Sequence, residues 1–276
     1  MSGVRDIHLA LAAWGLIGLL VVAYVVRSLV RGRARHARID KDGGSVLLGK
    51  SIMEMAYWGI DPLVDMLVAM RLTPTQVTAL SLVPAALAGV AIALGWFALA
   101  GVLAAASAVG DILDGLLARR LGVASDAGEA FDAAADRYGE FFFFAGLAVY
   151  YRDNVKCLLL VMAAFFGSFM VSYTTAKAEA MKVEPPRGAM RRPERAVYLF
   201  AGAALTAVTK ALWGDSISLV LREFPIIFAL ALVAAVTNIS TVKRLGIIIE
   251  QLRVRGPAPV VPPPAPVEEA KTPGVP

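Results

Sequence analysis

An all-helical protein threaded several times through a bilayer is the fold class this sequence predicts, and three observations predict it. The chain is 58% hydrophobic with a mean hydropathy of +0.67 and only 18% charged residues, well away from the soluble globular average. Apolar runs of about 18 residues or more, the length needed to cross ~30 Å of hydrocarbon, recur along it. Lys and Arg gather between alternate runs rather than inside them, the pattern of cytoplasmic connections. The net charge of +5 and pI near 9.4 are thereby accounted for by topology and anionic lipid, which argues against a nucleic-acid partner. The single Cys157 forms no intrachain disulfide.

The elements follow in order. Residues 8–26 are apolar and are followed by Arg27, Arg31, Arg33, Arg35 and Arg38. A cleaved signal peptide carries its charge before the apolar run, so the reversed order predicts an uncleaved anchor with its N-terminus outside. Residues 40–50, with Asp40, Asp42, Gly43 and Gly44, read as a linker. Residues 51–69 mix Met, Tyr, Trp and Leu with Glu54, Asp61 and Asp65, which predicts a helix lying in the interface. Six core spans are expected at 75–94, 97–121, 129–151, 156–180, 196–213 and 224–242. Thr73 before Pro74 is an N-cap with proline at the first helical position.

When the spans alternate, the basic residues of 27–50, Arg119, Arg120, 182–195 and 243–255 fall on one side, predicted to be the cytoplasmic face of the cell membrane. Trp58, Trp96 and Trp213 read as interfacial anchors, and the aromatic run 141–144 as lipid-facing or packing surface. From Gly256 onward the chain holds 8 of its 15 prolines, predicting a disordered extension. The expected organisation is an anchor and basic linker at 1–50, a membrane domain at 51–245 and a proline-rich cytoplasmic tail at 246–276.

Between Asp111 and Asp136 the chain reads D-x2-D-G-x2-A-R-x8-G-x3-D-x3-D. At about 100° per residue, Asp111, Asp114, Gly115, Ala118 and Arg119 share one helix face, and Gly128, Asp132 and Asp136 share a face of the next. Each unpaired carboxylate at such a depth costs about 2.5 to 3.5 kcal/mol, so the group requires compensation. Four hard oxygen donors without a His or Cys cluster suit Mg2+ or Mn2+, and a pair of ions would clamp a pyrophosphate. Arg119 offers a forked donor to phosphate oxygens, while Gly115 and Gly128 leave room for a ligand.

These eight positions resemble the signature of the CDP-alcohol phosphotransferases, and the likeness extends over roughly residues 71–244, including a T-P-x-x-V-T segment at its start. The resemblance implies an integral membrane enzyme, a homodimer, that transfers a phosphatidyl group from CDP-diacylglycerol and releases CMP. It implies Asp111, Asp114 and Asp132 as metal ligands, with Asp136 both ligand and general base. Asp114, Gly115, Ala118, Arg119 and Gly128 would hold the CDP moiety.

A second constellation bears on the acceptor. The segment S-Y-T-T-A-K-A-E begins at Ser172, and R-R-P-E-R ends at Arg195. Both lie at the expected cytoplasmic end, so Ser172, Lys177, Arg192 and Arg195 line one basic pocket suited to a phosphate. This pairing looks like the phosphatidylinositol phosphate synthases within the family, whose acceptor is inositol phosphate, with Thr175 where Lys is usual and Lys177 where Arg is usual. Glycerol 3-phosphate is the alternative acceptor. A cation transporter would also carry intramembrane Asp residues, but it has no need of Gly115, Arg119 and Gly128 at fixed offsets.

Overall fold

The computed structural model describes residues 2–31, 49–184, 190–214 and 216–255, and among these no strand occurs. The helices are α1 (Ser2–Arg31), α2 (Gly49–Ala69), α3 (Pro74–Ala93), α4 (Phe97–Leu121), α5 (Asp126–Tyr150), α6 (Val155–Ala180), α7 (Arg192–Trp213), the short α8 (Leu219–Arg222) and α9 (Phe224–Arg255). Among the described residues, α3, α4, α6, α7 and α9 are long and apolar enough to cross a membrane. Helix α5 has the same length as α4 but carries Asp132, Asp136, Arg137 and Glu140. It falls outside that set because these charged residues lower its hydropathy. The side chains of α1 exposed to the surroundings include Leu11, Leu19, Val22, Val25, Val26, Leu29 and Val30, a surface suited to lipid. The expected six-helix core, extra N-terminal helix and α2 beside them are thus all present as helices. Most of the predicted linker and the stretch 256–276 lie outside the described residues.

Local chemistry sets the helix ends. Thr73 Oγ1 accepts from the Gln76 N–H at 3.3 Å while Gln76 Oε1 accepts from the Thr73 N–H at 2.9 Å, closing a capping box on α3 with Pro74 in its first turn. Helix α4 ends in a Schellman motif: the Val123 N–H donates to Ala118 O, the Gly122 N–H donates to Arg119 O, and Gly122 adopts φ +68°. Ser125 caps α5 by accepting from the Gly128 N–H at 3.2 Å. The tight turn at 122–125 is what folds α5 back beside the end of α4.

Helix α3 packs against both α4 and α5, α6 pairs with α9, and α7 links the two groups through α4 and α9. The α3–α5 crossing depends on small residues: a side chain on Gly89 would collide with Phe142 O, and one on Gly146 with Gly89 O. Without a hydrophobic force between helices in lipid, such close backbone approach supplies the packing energy. The core runs through Ile92, Phe97, Phe144, Leu147, Val161, Leu199, Leu230 and Val233. A second cluster places Ile60, Val64 and Leu67 of α2 against Val77 and Leu117, beneath the end of α4. Helix α1 lies on α7 and α4.

Several boundaries differ from expectation: α1 runs from Ser2 to Arg31 rather than 8–26, and α5 starts at Asp126 rather than 129. Helix α7 starts at Arg192 rather than 196, because Pro193 pre-sets the first turn and Glu194 Oε2 accepts the Arg191 N–H at 3.1 Å. Helix α9 continues to Arg255 rather than 242, so residues 246–255, expected to belong to the tail, are helical.

Candidate active site

The C-terminal half of α4, the N-terminal half of α5 and the first turn of α7 meet at one end of the bundle. Asp111 and Asp114 sit three residues apart on α4, and Asp132 and Asp136 four apart on α5, so each pair projects from one face. Asp114 is buried and accepts from Thr78 Oγ1 at 2.5 Å; Asp111 Oδ1 accepts from Ser81 Oγ at 3.0 Å. Both hydroxyls come from α3, and Ser81 approaches because Gly110 has no side chain to block it. Asp132 Oδ1 is buried and has no hydrogen-bond partner.

Arg192, the first residue of α7, reaches across this gap. Its Nη2 donates to Asp111 Oδ2 and its Nη1 lies 2.5 Å from Asp136 Oδ1. The second contact is an ion pair without hydrogen-bond geometry, and Asp136 Oδ1 has no hydrogen-bond donor. Arg195, one turn later, is 1% exposed. It forks onto Glu140 through Nε (2.9 Å) and Nη2 (3.2 Å), and its Nη1 donates to Met190 O at 3.0 Å. Arg137 flanks Glu140 at 3.6 Å.

Oxygen donors with orphaned lone pairs at Asp132 and Asp136 suit a hard divalent cation. Among the described residues, no three carboxylate, imidazole or thiol groups already form a metal cage; the Arg192 guanidinium stands between Asp111 and Asp136 instead. Beside the carboxylates, the Arg119 guanidinium folds back over Gly115, where an added Cβ would lie 3.4 Å from Nη1. Gly128 opens the first turn of α5. The residues expected to hold CDP therefore line the exit of α4 and the start of α5.

The expected acceptor residues separate into three situations. Arg192 touches the carboxylates and keeps about a third of its side chain exposed (34%), while Arg195 is sequestered on Glu140. Lys177 is exposed near the end of α6, and Ser172 Oγ donates to Ser168 O at 3.3 Å. Among the described residues the structure adds several that the spacing did not single out. Thr78 and Ser81 orient the α4 carboxylates, Glu140 anchors Arg195, and Arg244 of α9 donates from Nη1 to Thr175 Oγ1 at 2.8 Å. Arg244 is buried and within charge range of Arg191 and Arg195. A signal for Thr78 existed, since it closes the T-P-x-x-V-T segment. For Glu140 the signal was its place four residues after Asp136. The partner of each lies many residues away, which one-dimensional spacing does not reveal.

The family model described as CDP-alcohol phosphatidyltransferase matches residues 66–240, the stretch from the end of α2 through most of α9. The chain belongs to this family. As a member it is a multi-pass membrane phosphatidyltransferase. Phosphatidylinositol phosphate synthase of Corynebacterium glutamicum is 31% identical over 168 residues, covering 56% of this chain and 75% of the relative. The enzyme of that name from Mycobacterium tuberculosis is 31% identical over 165 residues, covering 57% and 74%. Crystal structures of the M. tuberculosis synthase share the fold. One with CDP-DAG bound covers 68% of this chain and 92% of that one at TM-score 0.60 and 23% identity. Another, in complex with manganese and citrate, covers 69% and 88% at TM-score 0.61 and 23% identity. Helix α1 precedes the family-matched stretch, as does most of α2.

Proposed function

We propose that this phosphatidyltransferase moves the phosphatidyl group of CDP-diacylglycerol onto a hydroxyl of a phosphorylated polyol, inositol phosphate in preference to glycerol 3-phosphate, and releases CMP. The observation that carries the acceptor assignment is the guanidinium cluster of Arg191, Arg192, Arg195 and Arg244, of which Arg192 touches Asp136. Like charges gathered at low dielectric repel one another, and a phosphate dianion relieves that repulsion. An acceptor held there by its phosphate presents its hydroxyl to Asp136. The names and bound CDP-DAG of the similar synthases support the donor.

In this mechanism Asp136 takes the proton of the acceptor hydroxyl, the hydroxyl oxygen forms a bond to the lipid-linked phosphorus, and the bond from that phosphorus to CMP breaks. Arg119 faces the phosphates of the departing nucleotide, and Gly115, Ala118 and Gly128 leave space for the CDP moiety. Asp111, Asp114, Asp132 and Asp136 would hold two Mg2+ or Mn2+ ions, which supply positive charge at the pyrophosphate. Thr78 and Ser81 fix the carboxylates of α4 in rotamer. Ser172, Lys177 and Arg192 contact the acceptor phosphate, with Arg244 joining from α9 and Arg195 forming the charged floor on Glu140. The basic connections support a site on the cytoplasmic face of the cell membrane, and the family resemblance supports a homodimer.

The test is CMP release by purified protein with CDP-diacylglycerol and a panel of acceptors, with and without chelator. Inositol phosphate should be the best substrate, free inositol and serine poor ones, and EDTA should abolish turnover until Mg2+ or Mn2+ is restored. Equal use of free inositol and its phosphate would remove the acceptor assignment.

A further inference from the structure

The Arg192 guanidinium contacts one carboxylate from each metal-binding helix, Asp111 of α4 and Asp136 of α5, and so occupies ligand oxygens that a divalent ion requires. It is also the acceptor-pocket cation nearest the proposed base, and with 34% of its side chain exposed it has room to turn. Building on the proposed function, we propose that Arg192 exchanges between two partners: the carboxylates before metal enters, and the acceptor phosphate afterwards. Metal loading and acceptor binding are thereby coupled through one side chain.

The charges require this direction of exchange. Four carboxylates from two helices repel one another at low dielectric, and the Arg192 guanidinium, bridging Asp111 and Asp136, offsets only part of that repulsion. Two divalent ions neutralise the four formally. They then repel a guanidinium left among them, while a phosphate a few ångströms away attracts it. Arg195 cannot make the same exchange, because it is enclosed and already forked onto Glu140. The three-residue step from Arg192 to Arg195 puts both on one face of α7, so Arg192 moves against a fixed neighbour. Because coupling of two binding free energies is reciprocal, metal must strengthen acceptor binding by the same factor that acceptor strengthens metal binding.

Two measurements on the full-length protein in detergent test the exchange. Mn2+ binding, read from the EPR signal of the free ion without nucleotide or acceptor, should be about ten- to a hundredfold tighter in Arg192→Gln, which no longer competes for Asp111 and Asp136. Arg192→Lys, whose single ammonium cannot bridge both carboxylates, should fall between. Inositol phosphate binding by calorimetry should be at least about tenfold tighter to the Mn2+-loaded unmodified protein than to the metal-free protein, and Arg192→Gln should lose most of that difference. Unchanged or weaker Mn2+ binding in Arg192→Gln overturns the exchange. Equal inositol phosphate affinity with and without Mn2+ in the unmodified protein overturns it too, and needs no variant to fold. If Arg192→Gln binds Mn2+ more tightly but inositol phosphate fails to bind the unmodified protein with or without Mn2+, the acceptor reading is what falls, and the coupling with it.

Discussion

The two ends of the helix bundle both bury charge, and they treat it differently. At one end Asp111, Asp114, Asp132 and Asp136 converge from two helices, and Arg192 bridges Asp111 and Asp136 while oxygens of Asp132 and Asp136 have no hydrogen-bond donor. At the other end lies one fully buried carboxylate, Glu223, whose Oε2 has no hydrogen-bond partner but whose Oε1 draws its donors from three side chains. Its Oε1 accepts from Tyr150 at 2.6 Å and from Arg222 at 3.2 Å, and Lys210 lies 3.9 Å away while donating to the Tyr150 hydroxyl at 2.9 Å. Lys210 also rests over the rings of Phe97 and Tyr150 at 4.7 and 5.0 Å. That end ties the start of α4, the ends of α5 and α7, and the start of α9. A lone carboxylate shared between a tyrosine and two cations fastens helices, whereas four carboxylates from two helices facing one gap await a ligand. The comparison separates structural from functional buried charge within one molecule.

The largest expected effect breaks the functional end. Asp136→Asn keeps the volume and removes the proton acceptor, so turnover should fall by about 10^2 to 10^4 in the CMP-release assay. Thermal stability of the purified variant should be maintained, because the substitution also relieves repulsion from Asp111 and Asp132. Turnover near that of the unmodified enzyme would remove Asp136 as the base.

The same operation at the opposite end should give the opposite profile. Glu223→Leu removes the buried carboxylate that faces Lys210 and Arg222 and should cost about 3 to 5 kcal/mol of stability. The fraction that remains folded should keep its affinity for inositol phosphate, which chemical denaturation and calorimetry on one preparation can separate. Lost acceptor affinity in well-folded Glu223→Leu would mean that the two ends are not independent.

Arg195 lies between these extremes, since it is buried and paired like a structural residue yet adjoins the acceptor cluster. Arg195→Gln should weaken use of inositol phosphate by roughly ten- to a hundredfold and leave that of CDP-diacylglycerol much less affected. It should also lower stability by releasing Glu140. A variant that is destabilised with unchanged acceptor KM would assign Arg195 wholly to the structure.

Much of this architecture was legible in the sequence because lipid imposes long apolar runs. The α4 limits coincide with the expected 97–121, and Thr73 with Pro74 marked the start of α3. Hydropathy failed where a helix leaves the bilayer: α9 continues for another 13 residues beyond 242 as an amphipathic helix, burying Arg244 and Ile248 on one face. The four Asp residues were legible because their partners lie three or four positions away on the same helix. Thr78, Ser81 and Glu140 were not assigned, because Thr78 meets Asp114 across 36 positions, Ser81 meets Asp111 across 30, and Glu140 meets Arg195 across 55. Periodicity placed Arg192 and Arg195 on one face. It could not decide which carboxylate each would meet, so the burial of Arg195 on Glu140 appears only in three dimensions.

The smallest expected effect asks whether burial, rather than the end of the bundle, decides what a charge contributes. Arg120 follows Arg119 at the end of α4 and pairs with Asp65 of α2 at 2.5 Å, with side chains 48% and 66% exposed. Water screens such a pair, and its competing solvation offsets most of the attraction. Helix α2 is held mainly by Ile60, Val64 and Leu67 on Val77 and Leu117, contacts that the substitution leaves intact. Arg120→Ala should therefore change stability by less than about 1 kcal/mol and turnover by less than about threefold. The stability difference should shrink further in high salt. A loss comparable with that of Arg195→Gln would show that α2 docks on the active-site helix through this ion pair, and that proximity to the carboxylates outweighs solvent exposure at this end of the bundle.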